Sequence, residues 1–464
     1  MKFRQNSKLL FFIILSLSAF FACNKDDDDY TTSITASGDA QIYSFALSAK
    51  RYDAVDSLTY PVLGKTLFSI DQFQHLIYNV DSLPHNIRLK NFYAAVTFPT
   101  GGTSSVNLIY PDTVVEWNKS DSVDFKRGIP TFQVKAADGN TTYEYRLDLR
   151  IHKIDPDVIG WLQSWSLPGA MVKQKTVLDG ENATFYTLAK NNGNNTQLYI
   201  YKSEKASLAY DGGTGVAGLP APDNVVLESF TSLNGKFFVA DNSDNAYVST
   251  DNGLNWSNAG MKTYSIIGIL PGSTQADDEI LAVVDNGGKY CFAKTKDFGT
   301  VDIIRELSTY EANNMPMTGF SSTTSYTRSN LNTNILSITG GRNKSNVSTN
   351  LTWSFKVDDK GALQVVSNQQ HTVFPARDGI VSFNYDGYLY ALTGNVLYKT
   401  SSLGYLWTEA STKEQLPSDM PRTSSQSVIV DSENYIWIFG GITDSGNTLS
   451  PQIWRGRLNK LNPR

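Results

Sequence analysis

The stretch Ser249-Thr250-Asp251-Asn252-Gly253-Leu254-Asn255-Trp256 decides how this chain is read. It follows Ala246-Tyr247-Val248, a short run of β-forming residues, so it reads as the turn that ends a strand. Its residue types suit one tight turn: Asp caps backbone amides, Gly supplies an unusual backbone dihedral, and Trp packs beneath. Partial copies recur along the chain. Thr295-Lys296-Asp297-Phe298-Gly299 keeps the hydroxyl, the acid and the glycine after Tyr290-Cys291-Phe292-Ala293. Thr400-Ser401-Ser402-Leu403-Gly404-Tyr405-Leu406-Trp407 keeps everything except the acid after Val396-Leu397-Tyr398. A poorer copy opens at Ser203, after Leu198-Tyr199-Ile200-Tyr201. Ser203, Ser249 and Thr295 are 46 residues apart, and the 105 residues on to Thr400 leave room for two further units of about 52.

The unit between them has another form. Ile335-Leu336-Ser337-Ile338-Thr339-Gly340-Gly341 is followed by Trp353-Ser354-Phe355, and Tyr435-Ile436-Trp437-Ile438-Phe439-Gly440-Gly441 is followed by Trp454. Six units over roughly 305 residues average about 51 each, close to known blade repeats. The first pattern matches, at every defined position, the Asp-box sequence Ser-x-Asp-x-Gly-x-x-Trp and resembles sialidase-type propellers. The strand, Gly-Gly, loop and Trp-strand arrangement, with Pro421-Arg422 before the last copy, resembles kelch repeats. Both resemblances imply a four-stranded sheet per repeat, set radially around an axis. The expected structural Asp-box residues are Ser249, Asp251, Gly253, Trp256, Thr295, Asp297, Gly299, Thr400, Gly404 and Trp407. Gly160-Trp161-Leu162-Gln163-Ser164-Trp165 is the candidate strand that closes the last blade onto the first. A series of β-sandwiches with coincidental spacing is the alternative arrangement.

Past Tyr30 the chain is rich in Tyr, Phe, Ser, Thr, Asn and Gly, with short alternating segments between turn residues, the pattern of an all-β protein. Its length asks for two domains. Residues 31–155 end in Thr131-Phe132-Gln133-Val134-Lys135-Ala136 and in a second segment that puts Tyr143, Tyr145, Leu147, Leu149 and Ile151 on one face. Asp138-Gly139 between the two is a hairpin signal. The pair resembles the last hairpin of the Ig-like domains of Bacteroidetes surface lipoproteins, which implies a spacer or docking module. Asp155-Pro156-Asp157 marks the boundary. The expected fold is therefore an N-terminal Ig-like β-sandwich followed, over residues 158–464, by a six-bladed β-propeller, with seven blades as the alternative count.

The first eight residues carry Lys2, Arg4 and Lys8 and no acid; an apolar run from Leu9 to Phe21, broken by two serines, leads to Ala22-Cys23. This is the layout of a secretory signal, too short to span a membrane stably. Phe20-Phe21-Ala22-Cys23 resembles a bacterial lipobox, which implies a signal peptide over 1–22 and lipidation at Cys23. Residues 23–30 form an acidic tether, because the four like charges of 26–29 repel one another and stay solvated. Lys25-Asp26-Asp27 resembles the surface-export tag of Bacteroidetes lipoproteins, implying an outer-membrane protein that faces outward and meets the membrane through its lipid. Without Lys2, Arg4 and Lys8 the charge falls from −5 to near −8, so nucleic acid is not an expected partner. Cys291 is the remaining thiol and reads as a buried small hydrophobe.

Candidate chemistry in the propeller segment is sparse. The sialidase resemblance implies three carboxylate-clamping arginines, a Tyr/Glu nucleophile pair and an acid/base Asp. The nearest Arg-Ile-Pro-type string, Arg127-Gly128-Ile129-Pro130, lies before any blade. Arg377 and Arg422 stand where innermost strands should begin and are the candidates to face the axis; salt bridging is the simpler role for both. His371 is the sole histidine of the segment, which argues against a His metal site or a Ser-His-Asp triad. The Asp/Asn loop 241–245 offers oxygen ligands of the kind Ca²⁺ takes, but tight turns use the same residues, and no cofactor is expected. The abundant Tyr and Trp read as core more simply than as sugar platforms. The leading reading is a non-enzymatic binding module for extracellular glycan or protein. Its rival is a divergent glycan-active hydrolase or lyase at the axis, which paired carboxylates there would mark.

Overall fold

The computed structural model describes residues 36–49, 59–179, 183–326, 334–368, 373–446 and 448–461. The expected signal peptide, Cys23 and the acidic tether lie outside the described residues, as does His371. Strands make up 52% and helices 5% of the structure, so the chain is all-β. It divides into two compact units, Met1–Lys153 and Ile154–Arg464.

In the first unit, Thr131–Ala136 and Thr142–Asp148 pair antiparallel, with Phe132 opposite Tyr145. Asp138 builds the turn between them. Its Oδ1 accepts the backbone N–H groups of Asn140 and Thr141 at 2.9 Å each, and Gly139 takes φ 71°. Alternation then buries Tyr145, Leu147 and Leu149. Among the described residues this hairpin sits inside a sheet ordered Phe68–Asp71, Leu76–Asn79, Thr142–Asp148, Thr131–Ala136, Thr103–Ile109, Val114–Glu116. Leu76–Asn79 joins it in parallel. A second sheet runs Ser44–Ser48, Asn91–Thr97, Ser122–Asp124. Phe45, Leu47 and Phe92 from the smaller sheet share one apolar core with Val106, Leu108, Phe132 and Val134 from the larger.

The second unit is a succession of antiparallel sheets, each formed in chain order. Met171–Asp179, Thr184–Asn191, Tyr199–Glu204 and Thr214–Gly215 form the first. Val225–Leu233, Lys236–Asp241 and Asn245–Ser249 follow. The long strand Ser257–Leu270 then serves two sheets: residues 257–262 pair back with Asn245–Ser249, while 263–270 pair forward with Glu279–Asp285. Tyr290–Thr295 and Asp302–Glu306 complete that sheet. Next come Pro316–Ser325, Ile335–Asn343, Thr352–Val357 and Leu363–Asn368, and then Val381–Tyr385, Tyr388–Thr393, Val396–Thr400 and Thr408–Glu409. In the last sheet Ser427–Val430, Ile436–Phe439 and Gln452–Leu458 are joined on the outside by Ile159–Ser166, from the start of the unit. The first strands of successive sheets touch in turn, and Ser427–Val430 touches Met171–Asp179, so the series closes into a ring.

Apolar clusters glue each sheet to the next. Tyr186, Leu188 and Ile200 meet Phe230, Phe237 and Trp256; Leu281 and Phe292 meet Leu336, Trp353 and Phe355; Tyr390 and Leu392 meet Ile438 and Trp454. Across the closure, Met171 and Phe185 meet Trp437 and Phe439. Burial of this large aromatic area, rather than any one sheet's hydrogen bonds, holds neighbouring sheets face to face. The closure has a polar seam as well. Thr176 N–H donates to Ser427 Oγ at 2.9 Å, and Gln174 Nε2 donates to the Phe439 carbonyl at 3.0 Å.

Candidate functional site

The repeated turns all stand at the ends of third strands: Ser203 in Tyr199–Glu204, Ser249 in Asn245–Ser249, Thr295 in Tyr290–Thr295 and Thr400 in Val396–Thr400. In the 249–256 turn, Ser249 Oγ donates to Asp251 Oδ1 at 2.8 Å and accepts the Gly253 N–H at 3.0 Å. Asp251 also accepts the Asn255 backbone N–H at 2.9 Å and its side-chain amide at 2.7 Å. Trp256 is buried and donates from Nε1 to the Gly253 carbonyl at 2.9 Å. Gly253, at φ 84°, lies so close to Ile200 of the preceding sheet that a Cβ would sit 3.2 Å from it. The turn is thus a spacer between sheets, remote from the ring's interior.

The other copies solve the same problem with different atoms. In the 295–299 turn the left-handed residue is Phe298, at φ 61°, while Gly299 stays at ordinary dihedrals. Phe298 is buried beside Phe238, so an aromatic inside the turn takes over the packing that the missing Trp would supply. Asp297 accepts the Gly299 N–H at 2.9 Å and pairs with Lys236 at 2.7 Å. In the 400–407 turn Ser402 Oγ replaces the acid, accepting the Leu406 N–H at 3.0 Å. Trp407 is buried, but among the described residues its indole N–H has no partner. The Asn255 backbone N–H, then its side chain, holds the Asp251 carboxyl below its ordinary value. Such a group stabilises the fold above its unfolded pKa and loses that contribution as pH falls through its folded pKa. Asp251→Ala is expected to cost about 1 kcal/mol at neutral pH, with the difference gone at a pH well below ~3.9. Urea melts of both proteins at the two pH values check this.

Arg377 and Arg422 do approach each other, but as ion pairs on the connecting loops. Arg377 Nη2 lies 3.0 Å from Asp444 Oδ1, and Arg422 Nε lies 3.9 Å from Asp444 Oδ2. Arg342 is held by Asp378 in the same way, Nε to Oδ2 at 2.6 Å. None of the three lines the ring's interior. The 241–245 loop is a turn whose acid is already committed: Asp241 accepts from Ser243 N, Asn245 N, Asn245 Nδ2 and Tyr247 Oη at 2.8–3.1 Å. Among the described residues no group of three or more His, Cys, Asp or Glu is placed to hold a metal ion, and no helix is long and apolar enough to cross a membrane.

The ring encloses a channel of about 430 Å³. Its wall is Ser and Thr (Ser229, Thr231, Ser232, Ser322, Thr323, Thr324) interleaved with aliphatic and aromatic groups such as Val177, Ile266, Phe320 and Val428. Two charged side chains line it, Lys175 and Glu228, on the innermost strands of the first and second sheets. The channel widens toward the strand ends into recesses of about 670 and 650 Å³ that share Tyr326 and Val430 with it. Tyr326 donates to Asp278 at this mouth, and burial raises its phenol above the ordinary value, with Asp278 adding to the shift. Burial pulls the Lys175 ammonium below its ordinary value, with Glu228 acting weakly the other way. Sequence reasoning missed both channel charges. The signal available for Glu228 was an acid directly after the apolar run Val225-Val226-Leu227; Lys175, within Lys173-Gln174-Lys175-Thr176, carried none.

Residues 155–463 match the DUF6242 beta propeller domain, and residues 45–149 match the DUF6242 N-terminal domain, a domain of unknown function. The comparison with curated proteins returned no match. Similar solved structures include YjhT (10% identity, covering 62% of this chain and 95% of that one, TM-score 0.43) and a fungal alcohol oxidase of the AA5 family in complex with copper (10% identity, 65% and 76%, TM-score 0.41). The N-terminal domain of Nup159 is a third, at 11% identity, 64% and 95% coverage and TM-score 0.36. Likenesses this distant carry no argument about activity. The closed ring of sheets and the two matched segments converge on one assignment: the chain belongs to the DUF6242 family, with an N-terminal domain of unknown function followed by a β-propeller.

Proposed function

We propose that this protein is a lipid-anchored, outward-facing lipoprotein of the Bacteroidetes type, in which an Ig-like sandwich spaces a six-bladed propeller from the outer membrane. The propeller acts as a non-enzymatic binding module for an extracellular glycan or protein. Cys23 and the acids behind it support the anchor, and the two-sheet core supports the Ig-like reading. The cyclic contact of first strands supports six blades, built from Asp-box and kelch-like repeats. One observation carries binding over hydrolysis. Glycoside hydrolysis takes two carboxyl groups roughly 5–10 Å apart, whereas among the described residues Glu228 is the single carboxylate of the channel wall. At its mouth Asp278 is held by Tyr326, Asp386 by Lys460 and Asp431 by Trp437 and Lys205.

The anchor and the activity are tested separately. Cys23→Ala is expected to abolish palmitate labelling of the full chain expressed in a Bacteroidetes host and to release the protein from the membrane fraction. Labelling that survives this change sinks the anchor. The soluble variant, applied to a glycan array and to surface-protein pulldowns, is expected to retain a ligand without altering it. Release of new reducing ends or unsaturated sugars from a bound glycan would instead make it an enzyme.

A further inference from the structure

We infer that the propeller's axial channel is a binding site for a small zwitterion of the amino-acid type, with Lys175 holding its carboxylate and Glu228 its ammonium. The site concerns the channel alone and stands whether the propeller's rim carries a glycan, a protein or neither.

The first reason is that both charges are unspent. Among the described residues neither side chain has a hydrogen-bond or ion-pair partner, and the two do not pair with each other. Other acids nearby are committed: Asp241, behind Glu228, accepts four donors. Lys175 is half-buried in the partly apolar channel, where an uncompensated charge is costly, while Glu228 stands exposed to the channel's solvent; the retained cation points to a partner that arrives from solution.

The second reason is the backbone beneath Glu228. Val225–Leu233 pairs with Lys236–Asp241 through Val226↔Ala240 and then Thr231↔Phe238, so five steps on one strand face two on the other. This wide bulge breaks the ladder at Glu228. Ser229 repairs it with its own side chain, donating to the Val226 carbonyl at 2.7 Å and accepting the Ala240 N–H at 2.8 Å. Bulges of this kind re-aim side chains, and the stretch this one displaces includes the acid of the channel wall. A pocket of about 20 Å³ opens behind it, lined by Glu228, Ser229 and Ser265, which suits one water molecule.

The third reason is charge balance. A lone anion would satisfy Lys175 and be repelled by Glu228, and a lone amine would do the reverse. A neutral sugar would leave both charges unpaired. A compact molecule carrying both signs satisfies the two at once, and the Ser and Thr hydroxyls of the wall can serve its remaining polar atoms. A volume of about 430 Å³ is within the range of small-molecule sites.

Calorimetry on the full mature chain tests this with glycine, L-alanine and glycylglycine, against propionate, propylamine and glucose. Saturable binding of the zwitterions is expected, about tenfold or more tighter than any of the three controls. Lys175→Met and Glu228→Gln should each weaken it by a similar factor, and Lys175→Met should melt no lower than the parent, since it removes an unpaired charge. On the unmodified chain, glycine should slow reductive methylation of Lys175 more than that of the exposed lysines in the same sample, a ratio that cancels the reagent glycine itself consumes and needs no variant. The proposal is overturned if no zwitterion binds at millimolar concentration, if both variants bind as the parent does, if glucose competes equally, or if Lys175 is not protected.

Discussion

Asp431→Ala should lower the stability of the propeller by about 3–5 kcal/mol, the cost of stripping one partner from a buried charged network. Asp431 is 6% exposed and takes four donors. The backbone N–H groups of Glu433 and Tyr435 and the Trp437 indole each reach it at 2.9 Å, and Lys205 Nζ reaches it at 3.2 Å. Lys205 comes from the first sheet and Asp431 from the last, so the pair bridges the closure of the ring. Removing the carboxylate leaves Trp437, 1% exposed, with an orphaned N–H inside the closure cluster. It also leaves Lys205 with Glu433 alone, at 3.0 Å on the rim. Burial pulls the Lys205 ammonium down, but Glu433 and Asp431 outweigh it and hold the group above its ordinary value. A cation raised in this way stabilises the fold fully below its unfolded pKa of ~10.4 and loses that contribution only as pH rises through its folded value. The deficit of the variant should therefore be constant across neutral pH. Asp431→Asn, which keeps an acceptor for the amides, should cost about 1–2 kcal/mol. Guanidinium unfolding followed by tryptophan fluorescence measures both, and a loss under 1 kcal/mol for the alanine variant would contradict the bridging role.

Gly456→Ala should destabilise by about 3 kcal/mol although it adds one methyl group. Gly456 lies opposite Trp161 in the pairing of the closing strand Ile159–Ser166 with Gln452–Leu458. A Cβ there would stand 2.4 Å from Trp161 Cε3, in the face of the indole. Trp161 is itself fixed, donating from Nε1 to the Gln415 carbonyl at 3.0 Å. The methyl can be accommodated only by displacing the indole, and that peels the closing strand from its sheet. Limited proteolysis should then cut near the start of the propeller. Trp161→Ala removes the obstacle, so the double variant should be less destabilised than the sum of the singles. Simple additivity would mean that the close approach is not what keeps Gly456 a glycine.

Legibility in the sequence followed the range of the interactions. The 249–256 turn was readable because Ser249, Asp251, Gly253 and Trp256 complete one another within eight residues. The Thr131–Ala136 hairpin was readable because Asp138-Gly139 and strict alternation are local signals. Its parallel neighbour Leu76–Asn79 was not, since nothing near residue 76 specifies a partner some seventy residues on. Gly299 shows the limit of motif matching: the residue is present, but the left-handed position belongs to Phe298, because the fold needed a buried ring there. Arg377 and Arg422 could be placed before innermost strands by counting. That both would meet Asp444, a residue of the turn before Gln452–Leu458, could not be read from spacing.

The sequence by itself determined the class of structure, the turns that separate sheets and the strand offered for closure, since each depends on residues close together in the chain. The tertiary structure alone decided which strands face the axis and what the axis is made of. Lys175 and Glu228 are 53 positions apart and lie in different repeats; they share a channel because closing the ring turns the innermost strand of every sheet toward one line. Burial and charge at that line are properties of the assembled ring, and no single repeat carries them.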